Sequence, residues 1–201
     1  MKLIFATSNK GKLREARDIL GPSYEIISPA DLGIFDDIEE TGATFKENSL
    51  IKAEYIYSRT GMNCFADDTG LMVDALGGAP GVKSARYATE GHDFDANIDK
   101  LLSELSDATD RKARFRCVVT LIVDGEKHFF EGNCEGRIAR ERAGSGGFGY
   151  DPVFIADAWP DRSFSQVGEQ AKNSVSHRGQ SLRAMAAWLN DHTAPEGQED
   201  S

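Results

Sequence analysis

Cysteine is scarce in this 201-residue chain: three residues, at positions 64, 117 and 134. Their odd number and wide spacing suit neither a disulfide framework nor a thiolate metal site, so reduced thiols in a cytoplasmic protein are expected. Long apolar runs are missing as well. No uninterrupted segment approaches the roughly 20 residues that span a bilayer, and the apolar stretch of MKLIFATSNKGK is too short for a secretory signal. A membrane partner is therefore not expected. Basic residues are in deficit, 23 Lys and Arg against 33 Asp and Glu, for a formal net charge of −10. That balance argues against gripping a nucleic-acid polymer, although a small polyanion can bind where cations gather locally. No P-loop, dinucleotide-binding turn or Ser/His/Asp pattern is present.

What remains is ordinary for a globular chain, with 40% hydrophobic and 28% charged residues, enough to bury a sizeable core. No repeat or inter-domain linker interrupts it. Residues 1–192 are expected to form one domain, and 193–201 a polar, disordered tail.

Residues 2–6 have the composition of a buried strand. Thr7-Ser8-Asn9-Lys10-Gly11-Lys12 follows, and Leu13, Ala16, Ile19 and Leu20 then recur at helical spacing. A strand, a polar turn and a helix start together offer free N–H groups and the positive end of a helix dipole to an anion. The same pattern also describes a well-capped helix and nothing more. Residues 24–27 read as a second strand and 28–42 as an irregular acidic linker that includes Glu40. Residues 44–60 read as a helix on which Asn48 and Lys52, four apart, share a face.

The chemistry centres on 64–86, CFADDTGLMVDALGGAPGVKSAR. An apolar run meets the adjacent carboxylates Asp67 and Asp68. Thr69-Gly70 can turn the chain, and Leu71-Met72-Val73 resume it. Such carboxylates suit a site at the rim of an α/β sheet, although an acidic turn between two strands would look the same. Neighbours on an extended segment point to opposite sides, so at most one Asp is expected to face a ligand.

Further on, 76–81 reads as a Gly/Pro turn and 82–87 as a short helix. Residues 94–105 read as a helix whose apolar stripe suits the core or a subunit contact. Residues 114–123 and 127–138 read as a hairpin about Asp124-Gly125. Residues 144–149 hold four glycines, and Phe148 or Tyr150 beside them could stack on a base. Residues 164–175 read as polar and partly helical, and Ser176 as the cap of a last amphipathic helix. Lys172, His177, Arg178 and Arg183, with Glu169 as the nearest acid, form a positive patch.

Local positive charge thus comes from 7–12, from Lys52 beside Asn48, and from 172–178, while Glu40 and Asp67–Asp68 offer carboxylates to a hard cation. Lysines and Mg²⁺ together are what a triphosphate requires, because its charge must be neutralised before a nucleophile can approach phosphorus. Mg²⁺ takes one or two protein carboxylates and fills its other positions with waters and phosphate oxygens. With no nucleophile beside His177, attack by an activated water is favoured over a covalent intermediate.

These motifs resemble, in order, those of the non-canonical purine nucleoside triphosphate pyrophosphatases, the inosine/xanthosine triphosphate pyrophosphatase family. The matching stretches are Thr7-Ser-Asn-x-x-Lys12, Glu40-Thr-Gly-x-x-Phe45-x-x-Asn48-x-x-x-Lys52-Ala53, Asp67-Asp-Thr-Gly-Leu71, Gly77-Gly-Ala-Pro-Gly81, Ser84-Ala-Arg86-Tyr87, Gly147-Phe-Gly-Tyr-Asp-Pro152 and Lys172-Asn-x-x-Ser176-His-Arg178. The resemblance implies an α/β fold with an elongated mixed β-sheet, flanking helices and two lobes around a nucleotide-binding cleft, assembled as a homodimer. It implies hydrolysis of a purine nucleoside triphosphate to the monophosphate and pyrophosphate. Thr7, Ser8, Asn9, Lys10, Gly11, Lys12 and Lys52 would hold the triphosphate, with Asn48 and Thr69 beside them. Glu40 and Asp68 would bind Mg²⁺, with Asp68 and Lys52 catalytic. Phe148, Gly149, Tyr150, Asp151, Lys172, His177 and Arg178 would enclose the purine and sugar. The chain departs from the family pattern at Thr69, where Ser is common, and at Ser8, where Gly is common. A nucleotide sensor without turnover and a phosphatase releasing orthophosphate are the competing functions. Pyrophosphate release separates both from the first reading.

Overall fold

The computed structural model describes residues 1–192. The tail expected at 193–201 lies outside the described residues. One six-stranded sheet runs β2-β1-β3-β4-β5-β6. β1 (Lys2–Phe5) pairs in parallel with β2 (Glu25–Ile27) and with β3 (Cys64–Val73). β4 (Lys112–Val123), β5 (Glu126–Ile138) and β6 (Phe154–Ala156) then add in antiparallel sense. The helices are α1 (Lys10–Leu20), α2 (Phe45–Thr60), α3 (Phe94–Glu104), α4 (Glu169–Val175) and α5 (His177–His192). The mixed α/β sheet with flanking helices is the architecture the sequence led us to expect.

Local chemistry sets the element ends. Asn9 Oδ1 accepts from the N–H groups of Gly11 (2.8 Å) and Lys12 (3.1 Å), two donors that the first turn of α1 leaves free. Thr44 and Glu47 close a reciprocal capping box at α2, which ends on Gly61 at φ 62°. Asp124 (φ 50°) and Gly125 (φ 86°) make the two-residue turn of the β4–β5 hairpin, whose twist matches the strands it joins. Ser176 Oγ accepts from Gly179 N–H at 3.0 Å and caps α5 as expected.

The core falls into two lobes. In the first, Leu3, Phe5, Phe65, Cys117, Val119 and Leu121 pack under α1 and α5, with the Phe5 and Phe65 rings stacked at 4.4 Å. The other face of the same strands, through Ile4, Cys64, Ala66 and Ile122, meets Ala53 and Ile56 of α2. In the second lobe Leu71 and Val73 join Phe115, Phe154, Phe164 and, from α3, Ile98 and Leu101. Each such side chain removed from water contributes roughly 1.5–3 kcal/mol. Residues 67–70 of β3 lie where the two lobes meet, flanked by apolar packing in both directions along the strand.

One local expectation is corrected and the others gain detail. Thr69-Gly70 does not turn: β3 pairs with β4 at all ten of its residues. Gly70 is there for room, since a Cβ on it would sit 2.3 Å from the Gly81 carbonyl oxygen. The α3 stripe, expected in the core or at a subunit contact, packs into the core through Ile98, Leu101 and Leu105, with Leu102 partly buried and Phe94 40% exposed. The linker 28–42 contains a 3-10 turn, Pro29–Leu32, fixed by a Ser28–Asp31 capping box. Residues 82–87 and 164–175 also resolve into 3-10 turns, Gly81–Arg86 and Phe164–Gln166, the second followed by α4. β6, at three residues, is too short for its alternation to show in the sequence. Among the described residues, no helix is long and apolar enough to cross a membrane.

Candidate active site

Strand alternation puts Asp67 and Asp68 on opposite faces of β3. Asp67 faces α1 and α5. Its Oδ1 accepts from Lys12 Nζ at 3.0 Å, and its Oδ2 from Arg178 Nε at 3.0 Å and Thr69 Oγ1 at 3.1 Å. Arg178 Nη1 is in turn bonded to Glu15, which leaves Nη2 outside both contacts. Burial alone would push the Asp67 carboxyl up, but Lys12, Arg178 and Lys52 outweigh it and hold the group far below the usual carboxylate range. Arg178, fully buried, is kept charged by Asp67 and Glu15 against the same desolvation.

Asp68 faces α2. Asn48 Nδ2 donates to its Oδ2 at 3.1 Å and Thr69 N–H to its Oδ1 at 3.0 Å, while Asn48 Oδ1 accepts from Gly42 N–H at 2.7 Å. Lys52 Nζ is bonded to Glu40 Oε1 and lies 4.0 Å from Asp68 Oδ1. Burial dominates at Asp68. Lys52 offsets it only in part, the Glu40 charge adds to the rise, and the carboxyl is pushed up to about 6. Burial works against the Lys52 ammonium too, but Glu40, Asp67 and Asp68 overcome it and raise its pKa.

The third group lies beside these. Asp151 Oδ2 accepts from Lys172 Nζ at 2.7 Å and from Phe148 N–H at 3.0 Å, closing the Gly-rich turn, and burial outweighs Lys172 to raise its carboxyl. Lys172 lies 5.0 Å and Arg178 5.8 Å from the Phe148 ring centre. His177 stacks on Phe115 at 4.8 Å, and its buried Nδ1 has no partner among the described residues. Burial, with Arg178 and Lys172 nearby, lowers its pKa well below the ordinary value, so the ring is neutral. A neutral imidazole offers one donor and one acceptor.

The structure therefore gathers Lys12, Lys52, Lys172, Arg178, His177, Glu40, Asp67, Asp68, Asn48, Thr69, Phe148 and Asp151 into one connected cluster. Other candidates are placed differently. Tyr150 is buried in the second lobe with its hydroxyl on Ser84 O at 2.8 Å, so Phe148 is the aromatic left to stack. Gly149 is half-buried at φ 61°. Thr7 Oγ1 is spent on Asn9 N–H (3.1 Å) and Asn9 Oδ1 on the α1 cap, while Ser8 and Lys10 are exposed and Gly11 is half-buried. The expected positive patch is corrected as well: Lys172 and Arg178 are buried against acids, and the Arg183 guanidinium donates to the carbonyls of Asn173 and Ser174. Two partners are not distinguishable in the sequence. Glu15 lies off the apolar stripe of α1, where an acid reads as solvated, and Asp67 was indistinguishable from Asp68 until its face was known.

Glu40 and Asp68 are two hard oxygen donors around one cationic nitrogen. Among the described residues no group of three or more His, Cys, Asp or Glu could hold a metal ion. Two carboxylates do not make a closed cage, but they fit Mg²⁺ that completes its shell with waters and phosphate oxygens.

One mixed sheet with a carboxylate–lysine centre where its two lobes meet defines an α/β protein of the enzyme-like kind, its charged groups gathered at one strand. The model of the Ham1 family matches residues 3–188, and the chain belongs to that family. It is 52% identical over 189 residues to a dITP/XTP pyrophosphatase of Porphyromonas gingivalis, covering 94% of this chain and 97% of that one. A dITP/XTP pyrophosphatase of Christiangramia forsetii is 46% identical over the same share of this chain and 99% of its own. The solved structure of a HAM1 protein from Coxiella burnetii superposes with a TM-score of 0.87 at 38% identity, covering 95% of this chain and 99% of that one.

Proposed function

We propose that this protein hydrolyses non-canonical purine nucleoside triphosphates (those of inosine, deoxyinosine and xanthosine) to the monophosphate and pyrophosphate. The observation that carries the reading is the convergence of Lys12, Lys52, Glu40 and Asp68 at one strand. The relatives' names point the same way. Mg²⁺ held by Glu40 and Asp68 would neutralise phosphate charge as the reaction proceeds. Lys12, Lys52 and the start of α1 hold the triphosphate. Asp68 takes the proton of the attacking water. The water oxygen bonds to the α-phosphorus, the bond from that phosphorus to the bridging oxygen breaks, and pyrophosphate leaves.

Phe148 stacks on the base. The neutral His177 and the Nη2 of Arg178 supply donors that suit a 6-keto oxygen and leave an adenine 6-amino group unpaired, a mismatch able to discriminate by several powers of ten. Residues 1–192 act as one unit in the cytoplasm, and as a homodimer by the family resemblance. The test is a nucleotide panel with Mg²⁺ present and absent, scoring monophosphate and pyrophosphate together. Stoichiometric pyrophosphate from inosine and xanthosine triphosphates, but little from adenosine triphosphate, is expected. Orthophosphate as the first product, or no turnover, overturns the reading.

A further inference from the structure

Each of the three lysines of the cluster rests on a carboxylate of the same site: Lys12 on Asp67, Lys172 on Asp151, Lys52 on Glu40. Lys52 differs from the other two, because the carboxylates around it are the pair assigned to the metal. We propose that Lys52 is the internal counter-ion of the Glu40–Asp68 pair, occupying their shared space until a phosphate chain draws the ammonium away. This rests on the metal assignment made above.

Three observations support it. Lys52 Nζ is bonded to Glu40 and stands 4.0 Å from Asp68, so it lies within reach of both. Asp68 cannot swing clear, since Asn48 and Thr69 hold one oxygen each. The lysine stem is buried along α2 with only 11% of the side chain exposed, which keeps the ammonium close to the pair. A divalent ion arriving alone meets a like charge a few ångströms away in a poorly solvated setting, a strong repulsion. Phosphate oxygens give the ammonium another anion. Metal and nucleotide then favour each other's binding, and that coupling is reciprocal.

The experiment measures Mn²⁺ binding by electron paramagnetic resonance, without nucleotide, to the wild-type protein and to K52M, K52Q and K12M, with melting curves as a check on folding. Lys12 carries the same charge but does not touch Glu40, so K12M separates occupation of the site from a general field. Weak binding to the wild type is expected, at least about tenfold tighter binding to K52M and K52Q, and a much smaller gain in K12M. Tight Mn²⁺ binding to the wild type alone overturns the proposal whether or not the variants fold, and so does an equal gain in K12M. D68N added to K52M should abolish the gain. If K52M/D68N binds Mn²⁺ as well as K52M, the metal assignment itself fails. If D68N abolishes binding but K52M does not exceed wild type, only the counter-ion role fails.

Discussion

The two faces of β3 carry one carboxylate each, a single residue apart, in opposite states. Asp67 is saturated with cations: Lys12, Arg178 and the Thr69 hydroxyl use both its oxygens, and its carboxyl is held far down. Asp68 is also buried but has only a lysine at 4.0 Å, the Asn48 amide and the Thr69 N–H against it, so its carboxyl rises to about 6. Environments that push the pKa values of two neighbouring carboxylates apart mark a division of labour. The Asp67 face is an internal brace that positions Lys12 and Arg178. The Asp68 face is unfinished, and it is the one that can take a proton.

The most severe test of that contrast is to remove the brace. Asp67→Asn leaves the buried Arg178 and the half-buried Lys12 against a neutral amide, and breaking a buried pair costs about 3–5 kcal/mol. Urea unfolding at pH 7 should show that loss. The sign with pH follows from the lowered carboxyl. Asp67 stabilises the fold above the unfolded value near 4, and that stability is lost as pH falls, so the deficit of Asp67→Asn should shrink in acid. A loss below about 1 kcal/mol would mean that Asp67 is not a brace.

Next in size is Asp68→Asn. It should leave the fold intact and reduce turnover of inosine triphosphate by a factor on the order of 10² or more. Near wild-type hydrolysis would dissolve the contrast between the faces. The same variant gives a pH test without substrate, in metal-free buffer. Here the folded-state carboxyl is raised, so wild-type stability attributable to Asp68 is full below pH 4 and is lost as pH rises through about 6. The stability of Asp68→Asn relative to wild type should therefore climb between pH 4 and 7 by on the order of 2–3 kcal/mol. A flat difference would mean that Asp68 is not desolvated.

How much of this was legible beforehand depends on the range of the interactions involved. Strands, helices and caps follow local periodicity, so β1, α1, α2 and the β4–β5 hairpin were readable. Thr69-Gly70 misled because Thr and Gly favour turns, whereas the ladder with β4 runs through both and Gly70 answers the nearby Gly81 carbonyl. The site residues were legible as residue types in order, and their pairing was not. Arg178 meets Glu15 across 163 positions and Asp67 across 111. A positive patch in sequence became buried ion pairs in space, because local composition says nothing about which acid folds against it.

The smallest effect separates support of the Asp68 face from its chemistry. Helix α2 docks there through Ser49 and Thr120, fully buried, with their hydroxyl oxygens 2.7 Å apart. Ser49 Oγ also donates to Lys46 O at 3.0 Å, so Thr120 is the donor in the pair. The two single removals are therefore unequal. Ser49→Ala strands the Thr120 hydroxyl without its acceptor and should cost roughly 1–3 kcal/mol, whereas Thr120→Val leaves Ser49 its bond to Lys46 and should cost less than about 1 kcal/mol. With both changed, no polar group is stranded and stability should return toward wild type, a non-additive result that a double-mutant cycle reads directly. Turnover should stay within a few-fold of wild type in all three, since neither hydroxyl touches Asp68, Lys52 or Glu40. A large loss of turnover in the stable double variant would show that the docking of α2 tunes the carboxylate, and that the two faces differ in rigidity as well as in charge.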